Sequence, residues 1–145
     1  MLRGNYQATV DDKGRLKIPS VFLDTLKKSG KRFFVTSENG ESARVYPMKF
    51  WESIEQKLAK ISTHNRAKQR FLDRANYYGQ VVEMDGQGRI LIPGVLRESA
   101  QMKGDVDVLG KLNYLDVWNH TRFVENMNRN PLTDDDLNAL DSLGI

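Results

Sequence analysis

The chain has 145 residues, 39% hydrophobic and 28% charged, with a net charge of +3, a balance ordinary for a folded protein of one or two domains. It has no cysteine and only two histidines, His64 and His120, which excludes disulfide scaffolds, thiolate metal sites and cysteine nucleophiles and leaves little for a histidine metal centre. No apolar run reaches membrane-spanning length and the N-terminus lacks a signal-peptide core, so a cytoplasmic, cofactor-free protein is expected.

In chain order, Gln7–Val10 and Arg15–Ile18 read as two short strands, because Val10, Leu16 and Ile18 alternate as a half-buried strand requires. The intervening Asp11-Asp12-Lys13-Gly14 fits a type I turn closed by a glycine bulge. Pro19 ends the strand, Ser20 is the expected N-cap of a helix over Val21–Lys28, and Gly30 stops it. Arg32–Thr36 and Ala43–Tyr46 flank an Asn39-Gly40 turn. Phe50, Ile54, Leu58 and Ile61 form the expected buried stripe of the next helix. Thr63–Tyr78, carrying Arg66, Lys68, Arg70 and Arg74, reads as a basic connecting helix. Beyond it, Val106–Leu109 and Tyr114–Trp118 flank a turn at Gly110–Asn113, and a short helix follows near Arg122–Asn128. Thr133 is the expected cap of a last helix, with Asp134, Asp135 and Asp136 in the turn that the helix dipole favours for acids.

The chain repeats itself. YQATVDDKGRLKIP at 6–19 returns 74 residues later as QVVEMDGQGRILIP at 80–93, matched at Asp11/Asp85, Gly14/Gly88, Arg15/Arg89, Ile18/Ile92 and Pro19/Pro93. Gly30 matches Gly104, and VYPMKFWE parallels VWNHTRFVE at a slightly shorter offset, which sets Trp51 and Trp118 near corresponding positions as packing residues. Units of this size bury too little to stand alone, so the copies must share a core. The expected layout is unit 1 at 5–48, a helical connector at 49–77, unit 2 at 78–121 and a helical tail at 122–145.

Charge is uneven. Residues 1–78 hold sixteen basic against eight acidic side chains, net +8, and residues 79–145 hold six against eleven, net −5. Such asymmetry suits a polyanion partner, nucleic acid above all, although a solvated basic face gives the same count. Asp11 and Arg15, and Asp85 and Arg89, bracket the two turns. Either each pair braces its hairpin, or the Asp holds an arginine fork that contacts phosphates or the guanine edge. Lys13 and Lys17 flank Arg15, where the second copy has Gln87 and Leu91, so the first turn is expected to carry more of the charge. Gly86-x-Gly88 lacks the third glycine of a dinucleotide site, and no phosphate-loop or nucleophile-elbow motif is present. The acidic triplet lacks the spacing of a calcium loop. The residues compose no catalytic or metal site.

DDKGRLKIP and DGQGRILIP resemble the paired D-x-x-x-R signatures of the MraZ family, within the AbrB-like swapped-hairpin superfamily, and the likeness runs over roughly residues 1–125. The resemblance implies an α+β, β-rich fold: a tandem AbrB-like swapped-hairpin barrel packed as a pseudo-dimer, with short flanking helices. It further implies a nucleoid-associated regulator of a division and cell-wall operon, acting as a repressor. Members form ring-shaped homo-oligomers that bind G-containing direct repeats in double-stranded promoter DNA. Carried over by position, Asp11, Arg15, Asp85 and Arg89 are the DNA-binding residues, joined on charge by Lys13 and Lys17, with Gly14 and Gly88 shaping the turns. No membrane, small-molecule substrate, metal or cofactor is expected. The other reading is a structural or antitoxin-like oligomer in which the Asp–Arg pairs only brace hairpins.

Overall fold

The computed structural model describes residues 1–145. Its elements run β1 (Leu2–Val10), β2 (Arg15–Lys17), α1 (Ser20–Lys27), β3 (Arg32–Thr36), β4 (Ala43–Pro47), α2 (Met48–Ala59) and α3 (Arg66–Tyr77). They continue with β5 (Gln80–Glu83), β6 (Arg89–Leu91), α4 (Gly94–Ser99), β7 (Gly104–Leu112), β8 (Tyr114–Asn119), α5 (His120–Arg129) and α6 (Asp134–Asp141). All eight strands belong to one antiparallel sheet ordered β5-β3-β4-β8-β7-β1-β2-β6. Its two end strands are joined by the second turn, where Asp85 N–H donates to the Arg89 carbonyl at 3.0 Å. The sheet is thereby a nearly closed barrel, which leaves few edges for pairing with other chains.

The strands are exchanged between the repeats. β1 pairs with β7 over nine residues, from Leu2↔Leu112 to Val10↔Gly104, and β5 pairs with β3 from Arg32↔Glu83 to Val35↔Gln80. β2 pairs with β6, setting Leu16 opposite Ile90, and two bonds extend the match: Ile18 N–H to the Gly88 carbonyl at 3.0 Å and Ile92 N–H to the Gly14 carbonyl at 2.9 Å. Under the 74-residue offset each of these bonds maps onto the other. β4 and β8 meet in the same self-matching way, Ala43↔Val117 and Val45↔Leu115 about Arg44↔Asp116. A pseudo-twofold axis therefore passes through the Leu16–Ile90 and Arg44–Asp116 pairs, and the chain is a tandem swapped-hairpin barrel.

Exchange puts both units into one core of twenty buried residues, in which Leu16, Phe33, Val35, Val45, Ile90, Ile92, Leu96, Val108, Leu115 and Val117 are fully enclosed. Such burial contributes roughly 1.5–3 kcal/mol per large side chain, and neither repeat could obtain it alone. A second, aromatic cluster of Phe34, Tyr46, Trp51 and Ala75 lies under α2 and α3, with Phe34 stacked on Trp51 at 4.6 Å. No helix is long and apolar enough to cross a membrane.

Several expectations change at the level of detail. β1 begins at Leu2 rather than Gln7 because β7 supplies partners along its full length. The same pairing carries β7 through Leu112, so Gly110 and Lys111 are ladder residues and the turn is confined to Leu112 and Asn113. Ser20 lies inside α1; Pro19 occupies the cap, and no side chain closes that end. Pro47 and Pro93 hold the same cap position before α2 and α4, again with no side-chain cap, because a residue without an N–H ends the preceding extended segment where the helix begins. In α2 the buried residue is Trp51, while Phe50, Ile54 and Leu58 are half-buried and Ile61 lies beyond the helix, exposed. Trp51 and Trp118 are not counterparts. One unit packs Tyr46 on Trp51 at 5.1 Å and the other packs Trp118 on Phe123 at 5.5 Å, so the indole sits on opposite members of the same strand–helix pair. α3 forms as expected, and α6 begins with a capping box between Thr133 and Asp136.

Candidate nucleic-acid interface

The two repeated turns are built alike to within 0.1–0.2 Å. Asp11 Oδ1 accepts the backbone N–H of Lys13 and of Arg15, both at 2.9 Å, and its Oδ2 accepts Arg15 Nε–H at 3.0 Å. Asp85 Oδ1 accepts the N–H of Gln87 at 2.8 Å and of Arg89 at 2.9 Å, and its Oδ2 accepts Arg89 Nε–H at 2.9 Å. Gly14 N–H returns to the Asp11 carbonyl at 2.9 Å and Gly88 N–H to that of Asp85 at 3.1 Å. Both glycines have left-handed backbones, φ +84° and +74°, which a side chain would strain. These are the requirements that place Asp before the turn and Gly at its end.

The carboxylates are committed to the turn, and their titration reflects it. The backbone N–H of Arg15 holds the Asp11 carboxyl below the ordinary aspartate value, and the N–H of Arg89 does the same for Asp85. The arginines are only half committed. Each gives Nε–H to its own Asp, which fixes the plane of the guanidinium, and both remain about a third exposed. Their terminal nitrogens form no hydrogen bond within the chain, leaving a fork of donors oriented by one edge and free at the other. Such a fork matches a phosphate oxygen pair or the O6/N7 edge of guanine.

Strand exchange redistributes the other sequence-predicted residues. Lys13 is exposed at the tip of the first turn, as its sequence position suggests. Lys17 shares the outer face of β2 with Arg15, and it also lies opposite Arg89 in the β2–β6 register, where its ammonium donates to the Gln87 carbonyl of the second turn. The first turn is therefore not the sole owner of the basic charge, and the second gains a lysine that its own repeat lacks. The reason is geometric, since crossing β2 with β6 sets the residues after each turn beside the other one.

His120 heads α5 and finds a partner that the sequence does not reveal. Its Nδ1 lies 2.7 Å from Oδ2 of Asp107, a carboxylate buried within β7. With no nucleophile in the pair, this is a structural contact. No group of three or more His, Asp or Glu residues is arranged to hold a metal.

A barrel made of two interlocked hairpin units, each presenting one Asp-braced, arginine-bearing turn, defines the AbrB-like swapped-hairpin class. The family described as "MraZ protein, putative antitoxin-like" matches residues 1–74 and 79–143. The chain is similar along its whole length, and theirs, to proteins named transcriptional regulator MraZ from Acidobacterium capsulatum, at 53% identity, and Koribacter versatilis, at 49%. A namesake from Moorella thermoacetica is 40% identical over 86% of this chain and 85% of its own. The chain belongs to the MraZ family.

Proposed function

We propose that the protein is a sequence-specific DNA-binding transcriptional regulator that reads its operator through the two D-x-x-x-R turns. The observation that carries this reading is the half-committed arginine: Asp11 and Asp85 brace the turns, while Arg15 and Arg89 keep their terminal donors free. A bracing role alone explains the aspartates and leaves those donors without a purpose. The relatives' shared name supports the same assignment. On this reading Lys13 and Lys17 contribute phosphate attraction. A ring-shaped homo-oligomer presents many turns to G-containing direct repeats upstream of its own operon, where avidity offsets modest single contacts. The regulator represses that operon.

The test is fluorescence anisotropy with a duplex of the chain's own upstream region against a scrambled duplex, with Arg15→Ala and Arg89→Ala run alongside. Both substitutions should abolish selective binding and leave melting temperature and sedimentation unchanged. If they disperse the oligomer or unfold it while binding per folded molecule persists, the pairs are braces and DNA is contacted elsewhere; a wild-type oligomer that binds neither duplex is a scaffold.

A further inference from the structure

The two turns differ in what lies over them. A β-carbon at Gly88 would meet the Leu23 side chain of α1 at 3.1 Å, whereas one at Gly14 would collide with the guanidinium of Arg97 on α4. Leu23 and Arg97 are the same position of the repeat, 74 residues apart. Each helix thus covers the other unit's turn, and α4 brings a cation where α1 brings a leucine. Arg97 Nε is shut off from solvent without a hydrogen-bond partner, and no carboxylate of the chain lies within ion-pair distance of its guanidinium. Its group lines an open cleft of about 520 Å³ that Asp11 and Lys103 share, with Asp12 and Glu98 at the exposed rim. The Asp11 carboxylate there is consumed by its own turn. The matching cleft at the second turn, about 320 Å³, is lined by Lys27 and Lys31 beside Asp85. Exchange therefore gives each turn cations contributed by the opposite repeat.

We propose that Arg97 is a phosphate-contacting residue of the first turn, so that α4 of the second unit and the D-x-x-x-R turn of the first grip one stretch of DNA backbone together. The inference rests on the DNA-binding reading and adds a residue that lies outside the repeated motif. A guanidinium without a carboxylate partner, laid against the turn that carries Arg15, supplies what a phosphate needs: fixed charge and planar donors. It also differs from Arg15 in kind. A backbone contact strengthens binding to any sequence and a base contact only to the right one.

The experiment exchanges the two covers. Arg97→Leu gives the first turn the residue of the second, Leu23→Arg does the reverse, and Arg97→Lys keeps the charge. Each is titrated by anisotropy with operator and scrambled duplexes from 50 to 200 mM salt, after thermal melting has established the folded fraction. Arg97→Leu should weaken both duplexes by the same factor and lower the salt slope by about 0.9 for each copy bound, so that per bound copy its affinity falls roughly 3-fold less than the wild type's across that range. Arg97→Lys should keep the slope, and Leu23→Arg should raise it. An unchanged slope in Arg97→Leu, with wild-type binding intact, overturns the proposal and leaves Arg97 as a lid on Gly14. Absence of wild-type binding to either duplex overturns the DNA-binding reading itself, and this inference with it.

Discussion

Leu16 and Ile90 face each other on the pseudo-twofold axis, both fully buried, at the one place where the strands after the two turns touch. Leu16→Ala removes three carbons from a site walled by residues of both repeats, which cannot collapse without moving the β2–β6 ladder. Leu→Ala changes cost about 2–5 kcal/mol according to how far the cavity relaxes, and this site belongs in the upper part, about 3–5 kcal/mol. At ~2–4 °C per kcal/mol for a chain of this size, the melting temperature should fall by roughly 6–20 °C. Because the core is common, the loss should reach both units equally. Trp51 lies in the aromatic cluster of the first unit and Trp118 donates to Asp116 in the second, so Trp118→Phe and Trp51→Phe backgrounds each leave one reporter. Fluorescence melts of Leu16→Ala in the two backgrounds, at one protein concentration, should superimpose and shift together. Adding Ile90→Ala should cost less than the sum of the two single changes, because contacting residues couple by about 0.5–3 kcal/mol. Two separated transitions, or a loss under about 1 kcal/mol, would refute the idea that exchange fuses the repeats into one cooperative body.

Two other outcomes follow from the geometry. His120→Ala leaves the buried Asp107 carboxylate without its partner and should cost about 1–3 kcal/mol, read as a lower urea midpoint at unchanged m; a midpoint equal to wild type would mean that Asp107 finds another donor or water. At the turns, both Asp carboxyls are held below the ordinary aspartate value, chiefly by the N–H groups of Arg15 and Arg89. Their contribution to stability is therefore fully present above that value and is lost only as pH falls through the lowered folded pKa. Carboxyl 13C resonances of Asp11 and Asp85 should titrate below the free aspartate range, with the Lys13, Arg15, Gln87 and Arg89 amide shifts following at the same midpoints. Titration at the unperturbed value would break the link between the hydrogen bonds and the turn.

Much of the site was legible because turn chemistry is local. Asp four residues before Arg, with Gly between, predicts a braced hairpin from the bonding habits of those side chains alone, and the structure supplies the expected bonds twice. The exchange was not legible from periodicity. A strand reads the same whether its partner is its neighbour in sequence or lies a hundred residues away, and only the likeness to a swapped-hairpin family pointed to it. Misreadings followed where partners set the boundary: the start of β1 and the end of β7 depend on a strand from the other repeat, and so does the second neighbourhood that Lys17 gains beside Arg89. Ser20 failed as a cap because the helix starts one residue earlier than its sequence suggests, which leaves Pro19 at the cap position and Ser20 inside the first turn. The one sequence signal for Arg97 was its mismatch with Leu23 inside an otherwise faithful repeat, and a mismatch acquires meaning only once each helix is seen over the other's turn.

The nine-residue ladder between β1 and β7 also sets the order of events during synthesis. Leu2 must wait for Leu112, about 110 residues later, and at ribosomal rates of about 5–20 residues per second that delay is roughly 5–20 s. For that interval the first repeat has its hairpin turn and helices but lacks the strand that closes it, and β1 presents an open edge beside apolar residues meant for the core. A chain interrupted anywhere before β7 is left in that condition permanently. The interlock that makes the finished barrel a single body thus makes every unfinished one a candidate for pairing with its neighbours on the polysome.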